Sequence, residues 1–109
     1  MTNQWPQTLP AVQVRVARPT SRLNEVVGFY RDGLGLKVIG SFEDHAGYSG
    51  VMMGLPGHEY HLEFTSHHEG SPCPAPTRDN LLVFYIPDHQ AVTLLIERLN
   101  GMGYFPGCP

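Results

Sequence analysis

The sequence predicts an α+β domain built from two copies of one β-α-β-β-β module, the second copy incomplete. Three observations point there. Residues 58–65, His-Glu-Tyr-His-Leu-Glu-Phe-Thr, place Tyr60, Leu62 and Phe64 on one side and His61, Glu63 and Thr65 on the other, the period-2 alternation of a half-buried strand. Leu23, Val26, Val27 and Tyr30 recur at i, i+3, i+4 and i+7, which is the apolar stripe of a helix. The punctuation of that helix also returns later. Pro19 and Pro87 precede helical stretches, Gly33-Leu34-Gly35 and Gly101-Met102-Gly103 end them, and both pairs are offset by 68 residues. Shared spacing of this kind marks an internal repeat.

Taken in order, residues 1–10 are polar and hold Pro6 and Pro10, a lead-in. Residues 11–17 alternate valines with Gln13 and Arg15, a first strand with one polar face. Pro19 cannot donate to a ladder and should stop that strand. Thr20 or Ser21 then stands where a hydroxyl can cap the next helix, and Asp32-Gly33 should close it with a residue tolerant of positive φ. Residues 36–42 read as the second strand and 43–47 as a polar turn. Tyr48 to Met53 is the third strand, Leu55-Pro56-Gly57 a turn, and 58–65 the fourth strand. Residues 66–79 contain three prolines and no periodicity, a linker in which His67 and His68 should be exposed. Asn80 to Tyr85 is an apolar run expected to form a buried strand. Asp88 should cap a second helix striped by Val92, Leu95, Ile96 and Leu99, which closes at Asn100-Gly101.

Module one therefore spans 11–65, the linker 66–79 and a partial module two 80–109, all in a single domain. Module one continues for 30 residues beyond Gly35, whereas six follow Gly103. An uncovered sheet edge invites pairing, so either further chain or a partner, with a homodimer the leading expectation, should cover it.

At 109 residues and 41% hydrophobic content the chain can support one modest core. A formal charge of -3 with seven dispersed Lys and Arg offers no basic stripe for nucleic acid or acidic lipid. No apolar run approaches the roughly 20 residues that span a bilayer, and the start of the chain lacks a charged-then-apolar build; a cytoplasmic protein is expected. Cys73 and Cys108 lie among prolines and outside any Cys-x-x-Cys pair, which favours reduced thiols over a disulfide or a zinc knot.

Chemistry-bearing residues gather on the polar faces of the strands. Glu63 stands between aliphatic and aromatic neighbours, His61 and Thr65 share its face, and Arg15 shares a face with Gln13. Arg15 can receive an anionic ligand or pair with a carboxylate. Of Met52 and Met53, one must face the cleft. Met52, with Leu82 and Phe84, would give the cavity the apolar walls usual for small-molecule sites.

Four stretches, Gln13-Val14-Arg15-Val16, Phe29-Tyr30-Arg31-Asp32-Gly33-Leu34-Gly35-Leu36, His61-Leu62-Glu63-Phe64-Thr65 and Asn80-Leu81-Leu82-Val83, make the chain resemble the vicinal oxygen chelate superfamily over residues 11–104. That superfamily includes glyoxalase I, bleomycin-resistance proteins and extradiol dioxygenases. The resemblance implies paired βαβββ modules that form an open curved sheet, a ligand in the concave cleft, and often a dimer. In metal-using members each module supplies one ligand from its first strand and one from its last. Gln13 falls at the first such position and Glu63 at the second. Asn80 falls where many members carry His, and the fourth position has no counterpart. The implied cofactor is a divalent Ni, Zn, Fe or Mn ion. Gln13 and Glu63 alone would hold it weakly, since such sites want about three protein ligands; His61, roughly 7 Å along the strand from Glu63, could add to them.

Two functions follow from the resemblance and remain open at this point. One is a binding protein that holds a small organic ligand in the cleft, with or without a divalent metal. The other is a metal-dependent lyase, isomerase or dioxygenase acting on a substrate with vicinal oxygens, in which Glu63 is the catalytic carboxylate. Arg15, His61, Asn80, Leu82, Phe84 and Met52 are the expected ligand-binding residues in either case, and fold alone does not separate the two.

Overall fold

Strand β1 (Val14–Pro19), helix α1 (Leu23–Gly28), a π-helical turn (Phe29–Gly33), strands β2 (Lys37–His45), β3 (Tyr48–Gly54) and β4 (Tyr60–His67), and helix α2 (His89–Gly101) follow one another along the chain. The structure is a computed structural model that describes residues 7–11, 13–54, 60–70 and 81–106. The four strands form one mixed sheet in the order β1-β4-β3-β2. Strands β1 and β4 run parallel, while β3 is antiparallel to both β4 and β2. This is the α+β open sheet expected from the sequence.

The alternation in β4 sorts the two faces of the sheet. Phe64 is buried together with Val27, Leu36 and Met53, and Leu23, Val26, Tyr30, Val51 and Leu62 pack around them. The stripe of α1 thus closes on the Leu62–Phe64 side, and the Tyr30 ring stacks on Phe64 at a centroid distance of 4.8 Å. Aromatic contacts of this kind add to the burial of the rings themselves. Glycine matters at one close approach: a Cβ on Gly33 would stand 2.7 Å from Leu99 Cδ2, so the bare backbone lets α2 dock on the π-turn. Phe29 meets Tyr104 edge-on at 4.9 Å and completes that contact.

Several boundaries differ from those read in the sequence. Strand β1 begins at Val14 and ends at Pro19, because the sheet edge tolerates a residue that cannot donate. Thr20 Oγ1 accepts from the Arg22 backbone N–H at 3.0 Å, while α1 itself has no side-chain cap. Positive φ falls at Gly35 rather than at the buried Gly33. Strand β2 runs on to His45, so the turn is the tight Ala46-Gly47, where both residues have positive φ. Strand β4 continues through His67, which pairs with Tyr48; His67 is therefore half-buried, with its ring edge-on to Tyr48, while His68 is exposed.

The largest correction concerns the second module. Residues 81–86 form no strand, and Leu81, Val83 and Tyr85 are exposed. A strand needs a neighbour for its backbone N–H and C=O groups, and these residues pair with none of the four strands of the sheet. Helix α2 is as expected: Asp88 caps it, its carboxylate accepting from the N–H groups of Gln90 and Ala91.

Candidate functional site

The cross-strand register brings the expected polar residues onto the face of the sheet away from α1. Arg15 lies beside His61 across the parallel β1–β4 pair. Met52 lies opposite Glu63, Gly50 opposite Thr65 and Gly54 opposite His61 across the antiparallel β3–β4 pair. Directly paired residues project to the same side, so Arg15, Met52, His61, Glu63 and Thr65 share this open face. Gln13 immediately precedes β1, two residues before Arg15, and is exposed.

The centre of the face is an ion pair. Arg15 Nη1 donates to Glu63 Oε1 at 3.3 Å. The Glu63 side chain is 18% exposed and that of Arg15 is 38% exposed, so the carboxylate is the more sheltered partner. His61 contributes a ring whose Nδ1 is buried and has no hydrogen-bond partner among the described residues.

Beside the ion pair lies an apolar floor in which the expected Met52 is joined by Phe42 and Ile39, which the sequence reading did not single out. A Cβ on Gly40 would stand 2.9 Å from Met52 Cε, one on Gly50 2.5 Å from Phe42 Cζ, and one on Gly54 3.2 Å from Ile39 Cγ2. The three glycines leave room for Met52, Phe42 and Ile39 to lie flat across neighbouring strands. Ile39 reaches this face because the β2–β3 register shifts between Val38 and Gly40, and a bulge turns a side chain to the opposite face. The period-2 row Gly50, Met52, Gly54 was a visible signal for the floor; the bulge at Ile39 was not.

Two of the expected ligand-binding residues lie elsewhere. Leu82 and Phe84 line a hollow of about 640 Å³ on the helix side, with Leu36, Met53, Leu62 and Leu95. They do not meet Met52, because the segment that carries them never joins the sheet. Asn80 lies outside the described residues. This apolar hollow and the ion pair are thus on opposite faces of one sheet, and the described residues that line the hollow include no Asp, Glu, His, Lys or Arg.

A metal ion fits this donor set poorly. Glu63 is already held by a cation of the protein, and no three His, Cys, Asp or Glu side chains among the described residues come together to hold an ion. An ion at Glu63 would stand beside the fixed positive charge of the guanidinium and be repelled by it.

The mixed open sheet with its helix-side core and a carboxylate on the last strand is the glyoxalase-like fold of the vicinal oxygen chelate superfamily. Residues 14–65 match the model of the YycE-like N-terminal domain and residues 79–109 that of the YycE-like C-terminal domain. The uncharacterized protein YycE of Bacillus subtilis (strain 168) is 51% identical over 94 residues, which are 86% of this chain and 68% of the relative. The chain belongs to the YycE-like family. A 2.0 Å crystal structure of a YycE protein of unknown function from Bacillus subtilis, provisionally placed among glyoxalase and fosfomycin-resistance proteins, superposes with a TM-score of 0.85. It is 47% identical, and the match covers 94% of this chain and 74% of that one. The crystal structure of SMU.1112c, at 23% identity and a TM-score of 0.57 over 87% of this chain and 76% of that one, shares the fold. No helix among the described residues is long and apolar enough to cross a membrane.

Proposed function

We propose that the chain is a cytoplasmic small-molecule binding protein of the glyoxalase and bleomycin-resistance type, which holds an organic ligand on the open face of its sheet. The observation that carries this is the floor of Ile39, Phe42 and Met52 laid over three glycines beside the Arg15–Glu63 pair. Small-molecule sites combine apolar walls with a few placed polar groups, and this face supplies both. The floor offers area to a ring or chain, Arg15 offers N–H donors, and Glu63 offers acceptor oxygens. Binding requires no bond to be broken, so the ion pair stays intact while the ligand displaces water from the floor.

The competing reading, a metal-dependent lyase, isomerase or dioxygenase, draws support from Glu63. A sheltered carboxylate on the last strand of a module is where the resemblance places a metal ligand. It is disfavoured here because that carboxylate is bound to Arg15.

Thermal-shift measurements against a panel of neutral and acidic aromatic compounds test the proposal. Compounds that bind the folded state alone raise the melting temperature, and more so the further their concentration exceeds Kd. At least one class is expected to do so without added metal. A panel that is silent unless Ni, Zn, Fe or Mn is supplied would favour the enzyme.

The partner in the same proposal is a second copy of the chain. None of the residues of α2 is buried, and Leu94 is 59%, Leu81 72%, Tyr85 92% and Phe105 72% exposed. Exposed apolar area on this scale marks an interaction surface, and it lies in the half of the chain that shares the module pattern of the first. Light scattering behind size-exclusion chromatography is expected to give twice the 12.1 kDa chain mass. A monomer at micromolar concentration would refute the dimer.

A further inference from the structure

We propose that Arg15 stands in for a metal ion: on a face with few metal donors, its guanidinium holds the Glu63 carboxylate and keeps divalent cations off. This deepens the metal-free binding function described above and rests on it. The register places two unlike donors on one face, the His61 ring beside Arg15 and the Glu63 carboxylate one pleat further on, and the exposed Gln13 amide stands just before β1, two residues from Arg15. Their chemistry, amide oxygen, imidazole nitrogen and carboxylate oxygen, is the mixed N and O set that first-row divalent ions accept. The His61 Nδ1 is buried and unpartnered among the described residues, so a nitrogen donor is left unused there. Arg15 is the only one of these four side chains that cannot serve as a ligand, and it is the one bonded to Glu63, at 3.3 Å.

The guanidinium does two things at once. It satisfies the carboxylate oxygen that an ion would need, and it places a fixed positive charge where the ion's own charge would fall. A face that neutralises its carboxylate internally is ready for an organic ligand with no ion bound beforehand. Arg15 is therefore a positioning residue for Glu63 and the element that selects against metal.

Equilibrium dialysis of untagged protein against Ni²⁺ and Zn²⁺, read by elemental analysis, tests this. The wild-type chain is expected to bind neither ion at one equivalent. Arg15→Ala is expected to bind Ni²⁺ roughly tenfold tighter or better, the scale on which neighbours of a metal site alter its affinity. The gain should vanish in the double variant Arg15→Ala/Glu63→Ala and be absent in Arg15→Lys, which keeps the charge. Circular dichroism reports folding, and Arg15→Gln replaces Arg15→Ala if the latter does not fold. Three results would overturn the proposal: wild-type binding as tight as the variant's, no gain in a folded Arg15→Ala or Arg15→Gln chain, or a gain that survives loss of Glu63. The two levels fail separately. Stoichiometric metal on the wild type through Glu63 removes the metal-free function as well. A folded variant without a gain removes only the role given to Arg15 and leaves aromatic-compound binding untouched.

Discussion

Met53→Ala is expected to lower the unfolding free energy by about 2–5 kcal/mol, the range for truncating a long apolar core side chain. Met53 is the one described residue at 0% exposure among the four that form the buried core, and it touches the ground shared by Val27, Leu36 and Phe64. Truncation would leave a cavity between sheet and helix that α1, only six residues long, has little length to close. A small domain has roughly 5–15 kcal/mol of stability in all, so this single change removes much of it. Urea titration should show a lower midpoint with an unchanged slope, the sign of lost native stability. Met52→Ala, one residue earlier and on the open face, should cost clearly less, since Met52 is half-buried and its Cε rests on Gly40. Equal costs for the two would mean that the faces of β3 have been assigned wrongly.

Gly50→Val carries the largest expected effect on binding. The new Cβ would stand 2.5 Å from Phe42 Cζ and 2.6 Å from Phe42 Cε1, while the nearest backbone atom, Phe64 O, is 3.3 Å away. The ring is the freer of the two, so it is the ring that moves and the floor that is lost. A valine suits a strand, so the fold should survive. Affinity for any aromatic compound found by thermal shift should fall about tenfold or more, some 1.4 kcal/mol. Unchanged affinity in a folded Gly50→Val chain would remove Phe42 from the site.

Much of this was legible in the sequence because period-2 alternation is local. Phe64 and Leu62 on one side of β4, with His61 and Glu63 on the other, follow from the pleat alone, and the stripe of Leu23, Val26, Val27 and Tyr30 follows from the helical period. What failed depended on partners distant in the chain. Residues 80–85 have the composition of a buried strand, yet a strand exists only where a neighbour offers a ladder, and composition says nothing about that. Composition alone puts His67 in a loop, because the pairing of Tyr48 with His67, which carries β4 two residues past Thr65, is a property of register. Leu82 and Phe84 would reach the cleft only from that same strand, and without it they lie on the helix side. The Arg15–Glu63 pair stood among the sequence alternatives; the parallel register of β1 on β4 is what decided it.

Ligands are expected to bind on the face carrying Glu63 and not in the apolar hollow on the helix side. Amide chemical-shift mapping of isotope-labelled protein, titrated with the compound that gives the largest thermal shift, tests it most directly. The largest changes are expected at Gly50, Met52, Glu63 and Arg15. Changes concentrated instead at Met53, Leu62, Phe84 and Leu95 would place the ligand under the helices and contradict the account.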